Sequence, residues 1–270
     1  MRRIARLFRS PGKKLVPFFT AGFPQLESTL PLVLAAEKAG AQMVEIGMPF
    51  SDPLADGPVI QRTSQTALAN GVTIPWILDT VAQIRKRSQL PITLMGYINP
   101  LLKMGLETFL ARAQASGVDG LIIPDLPPEQ GAEFYQQARK LGISTIYLVA
   151  PNTPDARIQH LSREAEDLLY AVSILGVTGS TLSARQGLAR YLDRVRAASE
   201  VPFVVGFGLT TPEDIHQVAA RADGVVVGSA LLARIEKSSD PVQETTQFLR
   251  SLAAALAQEK RPAGQDKRNA

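Results

Sequence analysis

Gln42-Met43-Val44-Glu45-Ile46-Gly47-Met48 reads as a buried β-strand interrupted by a single carboxylate. Strand alternation sends Val44 and Ile46 to one face, under helices, and Met43, Glu45 and Gly47 to the other, which in a closed barrel is the interior. Seven further short apolar runs lie at 15–20, 92–97, 120–123, 145–149, 169–173, 203–206 and 224–227. Most are near-continuous Val, Ile and Leu, the pattern of parallel strands covered on both faces. The stretches between them have helical period. Thr73 precedes Pro75, Thr153 precedes Pro154 and Thr211 precedes Pro212, each placing a hydroxyl cap at a helix start, and Gly40, Gly117 and Gly142 follow helical stretches where C-terminal caps belong. Eight strand-then-helix units in about 250 residues predict a (β/α)8 (TIM) barrel, with a doubly wound open sheet as the alternative.

Composition narrows the chemistry. The 270 residues include 20 Gly and 19 Pro, with 45% apolar and 20% charged side chains, an ordinary globular balance that excludes collagen-like and disordered chains. With no Cys, thiolate nucleophiles, iron-sulfur clusters and Cys-ligated zinc are excluded together, and His160 and His216 are too few for most metal sites. The formal charge of +4 sits at the ends. Residues 1–14 carry six basic side chains and no acid, and 259–270 carry four basic and two acidic, which leaves 19 basic against 23 acidic residues elsewhere. A net-negative body argues against nucleic-acid binding. No apolar run approaches the length of a membrane span. The Arg-rich start runs directly into an apolar strand and reads as a short amphipathic helix covering one end of the domain. No linker composition divides the chain, so one domain is expected over 1–258, with a polar, disordered tail over 259–270 and a cytoplasmic location, a plastid being the alternative for a photosynthetic eukaryote.

In a barrel the chemistry belongs in the loops after the strands, where the unusual residues lie. A buried Glu45 must be paired, protonated, or facing a ligand cavity, and burial among apolar side chains raises its pKa into the range of a group that both donates and accepts protons. No basic residue lies in the apolar centre of the other seven strands to pair with it. The loop that follows, Pro49-Phe50-Ser51-Asp52-Pro53-Leu54-Ala55-Asp56-Gly57-Pro58, carries two acids and is stiffened by three prolines, so one Asp can stand as a second carboxylate over the same ligand. Glycines cluster after the last three strands: Gly176-Val177-Thr178-Gly179-Ser180, Gly206-Phe207-Gly208 and Gly228-Ser229. Glycine loops ahead of helix N-termini make a phosphate cradle that needs no Lys or Arg. Tyr97, Asn99, Asp125 and Tyr170 read equally well as lining the mouth or as packing.

The segment 44–58 closely resembles the signature of the tryptophan synthase alpha chain family. Pro17-Phe18, Tyr97-Ile98-Asn99-Pro100, Ala150-Pro151-Asn152-Thr153-Pro154, Gly176-Val177-Thr178-Gly179, Gly206-Phe207-Gly208 and Gly228-Ser229-Ala230 resemble further family motifs in family order. The resemblance implies a carbon-carbon lyase that cleaves indole-3-glycerol phosphate to indole and glyceraldehyde 3-phosphate without a cofactor of its own. By motif position Glu45 resembles the acid/base, Asp56 the carboxylate holding the indole N–H, and Tyr170 an active-site tyrosine. The implied substrate contacts are Phe18, Tyr97 and Phe207, with Thr178 on a closing loop, and Gly179, Gly208, Gly228 and Ser229 on the phosphate. It further implies a beta-chain partner carrying pyridoxal phosphate, in an alpha2beta2 heterotetramer, met by residues 49–56 and the Asn99 region. A stand-alone indole-releasing lyase, a ligand-sensing regulatory partner and a sugar-phosphate isomerase are the alternatives. Ile174 stands where some members carry Arg, and Phe23 departs from the more familiar Asp or Tyr.

Overall fold

A computed structural model describes residues 1–173, 182–206, 208–209 and 211–258. Its nine parallel strand segments are β1 (Lys14–Thr20), β2 (Val44–Gly47), β3 (Ile92–Met95), β4 (Gly120–Ile122), β5 (Ser144–Thr145), β6 (Tyr147–Val149), β7 (Leu169–Val172), β8 (Phe203–Gly206) and β9 (Gly224–Val227). They are hydrogen-bonded in the order β5-β4-β3-β2-β1-β9-β8-β7-β6. β5 and β6 are successive halves of one stave. The first half pairs with β4 through Gly120 and Ser144, the second with β7 through Tyr147 and Leu169, and the intervening Ile146 N–H still donates to the Leu121 carbonyl at 3.0 Å. The staves therefore number eight, at the eight apolar runs, and the fifth splits because strand stagger in a barrel makes it change neighbour midway. Helices surround the ring, and the last of them, Pro241–Gln258, packs on Thr29–Lys38. No helix among the described residues is long and apolar enough to cross a membrane.

The two faces of each strand have different work. Val44, Ile46, Leu94, Leu121 and Val225 are fully buried beneath the helices. In the interior, register places Phe18 beside Glu45 and Glu45 beside Thr93. The Phe18 ring lies so close to Gly47 that a Cβ there would stand 2.4 Å from Cζ, so any larger residue would displace the ring. Thr73 caps its helix by accepting from the Trp76 N–H, and Thr211 forms a reciprocal capping box with Asp214. Thr153 does not act as a helix cap. Its hydroxyl accepts from the Ala150 N–H at 2.9 Å while its own N–H donates to the Ala150 carbonyl, closing a tight turn ahead of Pro154. Gly40, Gly117 and Gly142 all take the positive φ that makes glycine the natural helix stop.

The Arg-rich start is the helix Arg3–Arg9, and it closes the barrel floor. Ile4 is fully buried, its Cδ1 2.8 Å from where a side chain on Gly120 would begin. Arg3 reaches Asp119 at 2.9 Å, and the same carboxylate accepts from Arg85 at 2.8 Å and from the Ile92 N–H at 2.9 Å. Arg2 joins Asp167 at 3.1 Å. Truncating Ile4 leaves a cavity that these charged neighbours cannot collapse into, so Ile4→Ala should cost about 2–4 kcal/mol in urea unfolding. Turnover of the folded fraction should be unchanged, because the floor lies at the opposite end of the barrel from the glycine loops.

Candidate active site

Glu45 is 1% exposed, on the interior face of β2, and its Oε1 has no hydrogen-bond partner. Desolvation, reinforced by the nearby charge of Asp56, pushes its pKa up to about 8. Asp56 stands on the loop above, half-buried. Burial raises its carboxyl to about 6, while a hydrogen bond with the Tyr97 hydroxyl works the other way. The same Tyr97 oxygen accepts from the Ala55 N–H at 3.0 Å, and the Tyr97 ring packs on Phe50 at 5.4 Å between centroids. Tyr97 therefore clamps the proline-rich loop, fixing Asp56 over the barrel. Burial and the neighbouring Asp56 carboxylate, opposed by the Ala55 N–H, push the Tyr97 hydroxyl up to about 12, so it remains a hydrogen-bond donor at neutral pH.

Tyr170 projects inward from β7, buried, with its hydroxyl pushed far above the ordinary tyrosine value by desolvation and by Glu45 and Asp56. The space it occupies exists because residue 206 is glycine: a Cβ there would lie 1.9 Å from the Tyr170 hydroxyl. The three groups thus face one another across the barrel mouth from a strand, a loop and an opposite strand.

Above them lies an open cleft of about 450 Å³, bordered by Phe18, Tyr170, Gly208, Gly228 and Ser229. A second recess of about 290 Å³ adjoins it along Phe18, Asp56 and Tyr97. Gly228 is the N-cap of the helix Ser229–Lys237, whose first-turn amides give the rim a partial positive charge, and Gly208 has φ +74°, a conformation suited to glycine. Phe18 separates the deep carboxyl from this rim. Thr178, Gly179 and Phe207 lie outside the described residues, as do Ile174 and the tail 259–270.

Other candidates resolve into supporting roles. Asp125 accepts from the Ile98 N–H at 3.1 and 3.3 Å, capping the helix that follows Tyr97. Asn99 is exposed, and His160 bonds Glu129 on the outer surface at 3.2 Å. Ile60 and Met95 also line the cleft. Nothing in sequence distinguishes such aliphatic wall residues from ordinary core. No group of three or more His, Asp or Glu side chains placed to hold a metal ion occurs among the described residues.

Fold and site together define a (β/α)8 barrel with a pair of perturbed carboxyls set into its mouth, the arrangement of an acid/base enzyme. The family model described as tryptophan synthase alpha chain matches residues 4–261. The tryptophan synthase alpha chain of Geobacter sulfurreducens is 45% identical over 262 residues, covering 95% of this chain and 99% of the relative, and that of Chloroflexus aggregans is 47% identical, covering 94% and 98%. Among solved structures, tryptophan synthase subunit alpha from Legionella pneumophila superposes with a TM-score of 0.87 at 38% identity over 95% of this chain and 99% of that one. A chain of the tryptophan synthase complex from Pyrococcus furiosus gives 0.79 at 37% identity, over 91% and 98%. The chain belongs to the tryptophan synthase alpha chain family.

The Glu45 environment has a measurable thermodynamic signature. Between the unfolded value near 4.5 and the folded value near 8, the native protein holds a proton on Glu45 that the unfolded chain has released. Stability therefore falls as pH rises through that window, this group contributing about 1.4 kcal/mol per unit. Glu45→Gln removes the term. Urea unfolding should give the variant a flatter stability curve between pH 5 and 8 and greater stability than the unsubstituted protein at pH 8. Parallel curves would contradict the assignment.

Proposed function

We propose that this chain cleaves indole-3-glycerol phosphate to indole and glyceraldehyde 3-phosphate, with Glu45 as the proton-transfer group. The observation that carries the reading is the split between two neighbouring carboxyls. With values of about 8 and about 6, Glu45 is protonated and Asp56 ionised at pH 7. Family membership supports the same substrate and reaction.

The scheme follows from those states. Glu45 gives its proton to indole C3, and the positive charge that develops on the ring nitrogen faces the Asp56 carboxylate. Glu45, now anionic, takes the proton of the glycerol hydroxyl adjacent to the ring. The oxygen's electron pair closes a carbonyl, the bond to C3 breaks, and its electrons restore the indole. Glu45 ends the cycle protonated as it began, so the side chains alone close the proton balance. Tyr170 packs beside the reacting centre, and the Phe18 ring supplies an apolar wall for the indole. Gly208, Gly228 and Ser229 receive the phosphate on backbone amides and a hydroxyl, and we assign Thr178, Gly179 and Phe207 to the same pocket by motif.

A beta-chain partner fits the surface beside the mouth. Leu54, at the tip of the proline-rich loop, is 96% exposed, and Leu102, on the helix Ile98–Met104, is 54% exposed. Large apolar side chains in such positions suit a protein interface. We take the partner to carry the pyridoxal phosphate, the assembly to be alpha2beta2, the functional domain to span 1–258 and the location to be cytoplasmic.

Two measurements test the reading. Glu45→Gln should lower indole release by about 10²- to 10⁴-fold, while calorimetry with indolepropanol phosphate shows binding within a few-fold of the unsubstituted protein. Retained turnover would refute the role of Glu45. Leu102→Asp should weaken association with the beta chain at least tenfold in sedimentation and raise the beta-chain concentration needed for stimulation. Unaltered association would remove this helix from the interface.

A further inference from the structure

Two orphaned polar atoms belong to register partners in the barrel interior. Glu45 on β2 and Thr93 on β3 are register partners, and in a parallel pair partnered residues present their side chains to the same face. Thr93 is fully buried, and its Oγ1, like Glu45 Oε1, has no hydrogen-bond partner. The hydroxyl stands beside Gly120, where a Cβ would approach it to 3.0 Å, so the missing side chain on β4 leaves room that the hydroxyl shares with Ile4 Cδ1. Valine has the same shape and would satisfy every packing demand of the strand Ile92–Met95. A buried hydroxyl is retained at a cost unless it finds a partner, and the polar group beside it on the neighbouring strand is the one acid of the proposed proton cycle.

We propose that Thr93 is a positioning residue for Glu45, its hydroxyl holding the otherwise unpaired carboxyl oxygen, directly or through one shared water, throughout the proton cycle. This rests on the reading of Glu45 as the proton-transfer group and adds a residue to it. The chemistry suits the task. A hydroxyl donates to a carboxylate and, by rotating, accepts from a carboxylic acid, so it serves both states that Glu45 must visit. A Lys or Arg in the same place would lock Glu45 as the anion and end its role as acid. The other titratable groups facing Glu45 are Asp56 from the loop above and Tyr170 from β7. Asp56 repels the anion and is held in turn by Tyr97. Thr93 is the neutral neighbour at the level of Glu45 itself.

The test compares Thr93→Val and Thr93→Ser in steady-state indole release across pH 5 to 9, using the full chain with saturating beta chain. Thr93→Val should lower kcat about tenfold with KM within twofold, and should move the Glu45-dependent limb of the kcat profile upward by about half a unit or more, because the carboxylate loses a donor. Thr93→Ser should retain kcat within about twofold and an unshifted profile. Where valine is not tolerated, Thr93→Ala against Thr93→Ser makes the same comparison, since both lack the methyl and only alanine lacks the hydroxyl. A Thr93→Val enzyme with unaltered kcat and pH profile overturns the proposal, as does an equal loss in the valine and serine variants with no shift in profile, which marks a packing role. If Glu45→Gln is inactive while Thr93→Val is indistinguishable from the unsubstituted enzyme, the Thr93 assignment alone fails. If Glu45→Gln turns over normally, the reading of the site fails with it.

Discussion

The structure depends on one constraint: a carboxyl group taken out of water on the inner face of a barrel strand, with no cation among the described residues to receive it. A salt bridge would make Glu45 a permanent anion, and full solvation would return it to an ordinary acid. Neither is provided. Glu45 is buried beside Asp56, a second acid whose charge opposes its ionisation, and the result is a proton held near neutral pH. The surrounding choices serve that state. Gly47 and Gly206 leave space for the Phe18 ring and the Tyr170 hydroxyl, and Tyr97 fixes the loop so that Asp56 stays close enough to be felt.

The two ends of the barrel treat charge in opposite ways. At the floor, Arg2, Arg3 and Arg85 are matched with Asp167 and Asp119, and Asp119 also ties down the start of β3. Those buried acids are fully compensated and act as fasteners. At the mouth, the described residues line the cleft without Lys or Arg, and on the proposed reading the positive potential for an anionic ligand would come from backbone at Gly208 and the Gly228 helix start. A barrel that admitted an arginine to the mouth to hold phosphate would also draw down the pKa of Glu45. Recognition by backbone, as proposed, would keep the two tasks separate.

Much of this was legible in the residues because the informative ones break local rules. Glu45 interrupts an apolar strand and six basic residues precede the first strand, so barrel, buried carboxyl and floor helix could each be read locally, while the glycines after the last three strands point to the proposed cradle. What escaped depends on partners distant in sequence. The split of the fifth stave follows from barrel stagger, which no run of apolar residues reveals. Thr153 precedes a proline just as Thr211 does, yet its hydroxyl finds the Ala150 amide first. Asp125 turned out to cap a helix on the neighbouring unit. Thr93 is an ordinary β-branched strand residue until its register with Glu45 is known.

The central claim is that Glu45 is a neutral acid at the pH where the enzyme works. Infrared difference spectroscopy, comparing the protein with its Glu45→Gln variant during pH titration, reads this directly from the carbonyl stretch of a protonated carboxyl. A Glu45-dependent acid band should be present at pH 7 and lost with a midpoint near 8. A carboxylate signal for Glu45 already complete at pH 6 would contradict it.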